Sequence, residues 1–196
     1  MNSFGQIIIL NGAPRSGKSS IAAEITHSFD GAWVNIGVDS VMQATPKSKQ
    51  PGIGLRPGGE RPDLEGFIVD SYLELYADIA VRSRAGMNVV VDVGHHDNYS
   101  HPLGILSKCR ALLDRLPVLW IGVRCPIDVI MMRRDTGSGE YLKSSKGTPI
   151  PDPVLRWQNA VHLDVVYDLE VDTSTQNATE CAQKICASLS QQNQYE

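Results

Sequence analysis

Short apolar runs alternate with stretches of helical periodicity along most of this chain. Ile7-Ile8-Ile9-Leu10 heads a first strand over about Gln6–Leu10, and Ser20-Ile21-Ala22-Ala23-Glu24-Ile25 opens a helix over about Lys18–Phe29. Asp30-Gly31 breaks that helix, and Trp33–Val38 reads as a second strand ending at Asp39-Ser40. Leu64, Phe67, Ile68, Tyr72, Leu75 and Ile79 recur at helical spacing, with Asp63 as the expected cap and Gly86 as the stop. Met87–Val91 is nearly all apolar, as a strand buried on both faces should be, and runs into Asp92. A polar loop is expected over Val93–Ser100, then a helix over Pro102–Arg115 and a fourth strand over Val118–Val123. Further helices are expected over Asp128–Asp135, Pro153–Leu163 and Asn177 to about Leu189, with a fifth strand over Tyr167–Val171. Strand and helix in alternation predict an α/β fold: a five-stranded parallel sheet with helices on both faces. No repeat or linker divides the 196 residues, so one domain is expected over 1–196.

Two segments break the alternation. Met42–Pro62 carries four prolines and four glycines, together with Lys47, Lys49, Arg56 and Arg61. A structureless stretch this long is either a disordered insertion or functional. Because it follows the carboxyl end of a strand, the functional reading is a flap over a second substrate. Thr136–Pro151, rich in Gly, Ser and Lys, reads as a mobile lid, spanning about 133–152 with its flanks.

Composition narrows the class. Hydrophobic residues make up 42% and the net charge is −4, which gives no sign of a general nucleic-acid partner. No apolar run approaches the ~20 residues that span a bilayer, and no secretory leader pattern is seen. Cys109, Cys125, Cys181 and Cys186 form no zinc spacing and read as reduced thiols, so a cytoplasmic location is expected.

The chemistry centres on Gly12-Ala13-Pro14-Arg15-Ser16-Gly17-Lys18-Ser19, which has the phosphate-binding spacing G-x-x-x-x-G-K-[ST] between a strand and a helix. Glycines let the backbone curl into an anion nest, and the helix N-terminus, including Ser20, adds its positive dipole end. Lys18 is expected to reach the β- and γ-phosphates of ATP, and the Ser19 hydroxyl to bind Mg²⁺. Asp92, after the apolar run Val89-Val90-Val91, fits a carboxylate that holds Mg²⁺ directly or through water. Asp39 opens onto the flap and fits the base that takes the acceptor's proton, against the plainer reading of a strand-end turn. Arg133 and Arg134 precede the lid and fit two readings: positive charge brought to the γ-phosphate, or solvated helix-end arginines favoured by the dipole. His95-His96-Asp97 reads as a polar acceptor-side loop rather than a metal site, since adjacent histidines point apart.

These residues resemble the chloramphenicol phosphotransferase family of P-loop small-molecule kinases. The resemblance spans Ile7–Gly12 with Ser16-Gly17-Lys18-Ser19, Ile36-Gly37-Val38-Asp39-Ser40 and Val89–Asp92. Its most specific stretches are Leu119–Cys125 and Tyr167–Thr173. It implies a P-loop kinase fold, ATP and Mg²⁺ as cofactors, and a small-molecule hydroxyl acceptor of which chloramphenicol is one. It also implies Asp39 as base, Arg133 as lid arginine, and the Asp172-Thr173-Ser174 turn and the segment after it near the adenine. The chain departs from the family in its lid, where Thr136-Gly137-Ser138-Gly139-Glu140-Tyr141 lacks further arginines and Arg134 or Arg156 would substitute. It departs also at Asp92-Val93 and in both acceptor-side segments, whose charged residues suggest a more polar acceptor. A kinase of a sugar or nucleoside and a non-catalytic ATP-binding regulator are the alternatives. A GTPase would need an Asn-Lys-x-Asp motif, which the chain lacks.

Overall fold

A computed structural model of the chain describes residues 3–38, 45–46, 61–136 and 149–192. In chain order the elements are β1 (Ile7–Asn11), α1 (Lys18–Ser28), β2 (Trp33–Gly37), a 3-10 turn (Pro62–Leu64), α2 (Glu65–Arg84), β3 (Asn88–Val93), α3 (Ile105–Leu112), β4 (Val118–Arg124), α4 (Ile127–Thr136), α5 (Asp152–Ala160), β5 (Leu169–Asp172) and α6 (Ala178–Gln192). The strands pair in the order β2-β3-β1-β4-β5, all parallel.

β1 lies at the centre of the sheet, and its apolar run is continuous because both faces are covered. Successive side chains alternate between two cores. Ile7 and Ile9 join Val89 and Val91 against Ile68, Tyr72, Tyr76 and Ile79 of α2 and Trp157 of α5. Ile8 and Leu10 join Val90, Leu119 and Ile121 against Ile21 and Ile25 of α1 and Ile185 of α6. Each fully buried isoleucine or leucine contributes roughly 1.5–3 kcal/mol in removal from water.

Parallel pairing puts every strand's carboxyl end on one edge, and the register decides which residues meet there. Leu10 and Asn11 pair with Asp92 and Val93, and Asn11 also lies beside Gly122. Asp92 is thus inside β3 rather than just beyond it, one step short of the P-loop's root. Two expected features differ. Asp63 does not cap α2; it pairs with Arg61 within the 3-10 turn, and Leu64 occupies the cap position without a side-chain bond. The helix expected over Pro102–Arg115 is the shorter α3, because Pro102 and the left-handed Gly104 delay its start.

Candidate active site

Asn11 ends β1 fully buried, and the chain then turns through the P-loop into α1. Gly12 N–H donates to the Val93 carbonyl at 3.3 Å, and a Cβ on Gly12 would lie 2.5 Å from the Val123 carbonyl oxygen. Only glycine fits between β3 and β4 here. The Ser16 amide closes a turn onto the Ala13 carbonyl at 3.1 Å. Arg15 and Gly17 both have positive φ, 69° and 99°. Pro14 and Arg15 form the turn's corner, while Ala13 and Ser16 are buried behind it. From Lys18 the chain is helical, so the amides of the first turn have no acceptor within α1. With the helix dipole behind them they favour an anion.

The side chains at this helix start converge on β3. The Lys18 ammonium donates to the Ala13 carbonyl at 2.9 Å and lies 3.4 Å from Asp92 Oδ1. The Ser19 hydroxyl donates to Asp92 Oδ2 at 2.6 Å. Arg15, Gly17, Lys18, Ser19 and Ser20 line a cleft of about 510 Å³. Arg133 of α4 and Thr173, just past β5, line it too, and so do Gln176 and Asn177. Sequence reasoning did not single out the last two, which lie in the segment that the resemblance puts near the adenine. Their signal was a helix-start box, Asn177-x-x-Glu180, whose reciprocal bonds of 2.9 and 2.8 Å cap α6. The box announces a helix, but not that its first turn faces a cleft.

The remaining expected residues are distributed unevenly. Arg133 reaches the cleft, yet its guanidinium donates to the Arg15 carbonyl at 3.2 Å, to Thr173 Oγ1 at 3.0 Å and to the Thr173 carbonyl at 2.7 Å. Arg134 is buried and is not among the residues lining the cleft. The Asp172 carboxylate is turned into its own loop, accepting from Ser174 N at 2.8 Å and Ser174 Oγ at 2.6 Å. Those bonds hold its carboxyl below the ordinary range. Asp39 lies outside the described residues, as do nearly all of the flap expected over 42–62 and the lid residues 137–148.

Beyond β3 the first part of the expected polar loop is buried among aromatic rings, while Asp97, Asn98 and Ser100 are exposed. His95 and His96 are buried. His95 packs against Tyr72, with ring centroids 4.5 Å apart, and its Nε2 lies 2.8 Å from the Tyr76 hydroxyl. His96 stacks on Tyr99 at 4.4 Å and meets Trp157 edge-on at 5.2 Å. Burial drives the His95 pKa down to about 3, so this imidazole is neutral at pH 7. Asp97 is exposed and accepts from Leu103 N at 2.8 Å and Gly104 N at 3.0 Å, in the turn that precedes α3. The loop turns inward because its backbone is tied down: Asn11 Oδ1 accepts from His95 N at 2.6 Å, and Glu65 Oε1 accepts from Ser100 N at 2.8 Å. Arg61, expected to add charge here, is occupied by Asp63 at 2.7 Å.

Ser19 and Asp92 offer hard oxygens side by side, which suits Mg²⁺. Among the described residues no group of three or more His, Cys, Asp or Glu gathers as a metal cage. Such a pair fits an ion whose remaining ligands are phosphate oxygens and water. The four cysteines are free thiols. No described helix is long and apolar enough to cross a membrane.

Over residues 5–190 the chain matches the family described as chloramphenicol phosphotransferase-like protein. It belongs to that family. Two strains of Mycobacterium tuberculosis hold a relative named "Putative O-phosphotransferase" (MT2714 and Rv2636). It is 25% identical over 197 residues that cover 92% of this chain and 80% of the relative. Among solved structures, a gluconokinase from Sinorhizobium meliloti superposes with a TM-score of 0.61 at 19% identity, covering 98% of this chain and 97% of that one. A shikimate kinase from Acinetobacter baumannii gives 0.62 at 13%, covering 98% and 96%. At those identities the likeness is one of fold, the P-loop kinase fold. Family and fold together make the chain a P-loop phosphotransferase.

Proposed function

We propose that this protein transfers the γ-phosphoryl group of ATP, bound with Mg²⁺, to a hydroxyl of a small molecule. The observation that carries the reading is the meeting of Lys18, Ser19 and Asp92 at the N-terminus of α1, with the cleft alongside. Phosphoryl transfer asks little covalent chemistry of the protein and much positioning and charge neutralisation. The first-turn amides and Lys18 hold the phosphate chain, and Lys18 carries positive charge to its β- and γ-groups. Ser19 and Asp92 hold the metal, which when bound neutralises charge developing on the phosphate oxygens. Asp39, two positions beyond β2, acts as the base toward the acceptor hydroxyl; this role rests on its place in the sequence and on the family resemblance.

The acceptor is a small hydroxyl compound, and chloramphenicol is the first to try. The burial of His95 and His96 among aromatic rings favours a less polar acceptor than the loop's composition suggests. ATP use and free thiols fit a cytoplasmic enzyme. The test is a panel of chloramphenicol, a nucleoside, a neutral sugar, gluconate and shikimate, each incubated with ATP and Mg²⁺ and read by mass. A gain of one phosphoryl group on a neutral acceptor is expected. ATP turnover indifferent to every acceptor would favour a nucleotide-binding regulator instead.

A further inference from the structure

We propose that Arg133 is a positioning residue of the P-loop: with Thr173 it fixes the Arg15 and Ser16 carbonyls and so preforms the phosphate cradle. The inference rests on the reading of the cleft as a nucleotide site. Both terminal nitrogens of Arg133 are engaged on protein acceptors. Nη1 donates to the Arg15 carbonyl and Thr173 Oγ1 and lies 3.4 Å from Cys125 Sγ, and Nη2 donates to the Thr173 carbonyl. Thr173 relays the contact, since its hydroxyl accepts from Arg133 and donates to the Ser16 carbonyl at 2.6 Å. Thr173 is itself anchored by its amide, which donates to the Arg124 carbonyl at 3.1 Å, and its methyl lies 3.1 Å from where a Gly17 Cβ would be.

In a trans peptide the C=O and N–H point in opposite directions across one plane. Holding the Ser16 carbonyl therefore aims the Gly17 amide away from Thr173. Holding the Arg15 carbonyl fixes the Ser16 amide, which closes onto Ala13. Arg15 sits at φ 69°, a conformation a residue with a Cβ adopts only at a cost, and the bond from Arg133 to its carbonyl offsets that cost. An arginine serving only the γ-phosphate would have no reason to spend its donors beneath the loop.

Binding of three probes distinguishes the roles: ATP, ADP and inorganic tripolyphosphate, titrated by calorimetry into wild type, Arg133→Ala, Thr173→Val and the double variant. A positioning role predicts that each single variant weakens all three probes by a similar factor, about three- to tenfold for each hydrogen bond lost. The double variant should lose less than the product, because the two residues act through one contact chain. Thr173→Ser, which keeps the hydroxyl and loses the methyl, should restore the affinities for all three probes, which a role of Thr173 in packing alone would not allow. Loss of ATP and ADP binding with tripolyphosphate unaffected would overturn the proposal in favour of a base contact. Slower transfer with all three affinities intact would overturn it in favour of a γ-phosphate contact. If Arg133→Ala does not fold, Thr173→Val decides alone, and unchanged tripolyphosphate affinity there refutes the idea. Failure of wild type to bind any probe would instead remove the nucleotide reading of the cleft.

Discussion

Two stretches leave the carboxyl edge of the sheet on either side of Asp92. On the α1 side, Lys18 and Ser19 meet the Asp92 carboxylate at 3.4 and 2.6 Å beside an open cleft. On the β3 side, His95 and His96 turn inward among Tyr72, Tyr76, Tyr99 and Trp157. Both stretches are rich in polar residues, yet one gathers its charges at the edge of a cleft and the other buries its imidazoles among aromatic rings. The cause lies in the backbone. The P-loop's amides need an anion, so it stays at the surface. The loop after β3 has its amides taken up by Asn11 and Glu65, which lets its side chains pack. Residue type alone therefore does not say whether a segment serves as a charged site or as a wall.

The contrast breaks most visibly at Lys18. Lys18→Ala should lower the transfer rate by about 10²-fold or more while the protein melts normally, since one preorganised contact to the reacting phosphate is lost. Steady-state rates beside a melting curve check this, and a folded variant with near-normal turnover would undo the functional reading of the α1 side. Asp92→Asn should cost on the order of tenfold at low Mg²⁺, with partial recovery as Mg²⁺ is raised. A rate insensitive to Mg²⁺ in both proteins would detach Asp92 from the metal.

The β3 side responds to acid rather than to nucleotide. His95 titrates near 3 when folded because of its burial, against 6.5 for the ordinary imidazole. Above pH 6.5 it is neutral in both folded and unfolded chains and contributes no pH dependence. Below that the unfolded chain binds the proton and the native state does not, so stability falls as pH drops toward 3. The slope is at most about 1.4 kcal/mol per pH unit. Denaturant melts of wild type and His95→Gln between pH 7 and 4 should show a shallower decline in the variant; parallel curves would mean that His95 is solvated. The smallest effect belongs to Tyr76→Phe, which removes the hydroxyl beside His95 Nε2. It should cost about 1 kcal/mol in the same melts with transfer kinetics unchanged.

What the sequence determined by itself was local or periodic. The continuous Ile7–Leu10 run, the glycine spacing of the P-loop and the apolar stripe from Ile68 to Ile79 dictated a central parallel strand, a phosphate loop and its packing helix. These depend on neighbours in the chain. The strand-end position of Asp92 was legible for the same reason. The tertiary structure decided everything that needed two distant segments. Pairing of Leu10 with Asp92 set the distance from Ser19 to its carboxylate. The approach of β5 and α4 turned Arg133 and Thr173 onto the P-loop, and it gave Gln176 and Asn177 a place in the cleft. His95 and His96 read as polar because histidine usually is. Whether an imidazole meets water or a tyrosine ring depends on where its backbone amide finds an acceptor, and that acceptor, Asn11, lies 84 positions away.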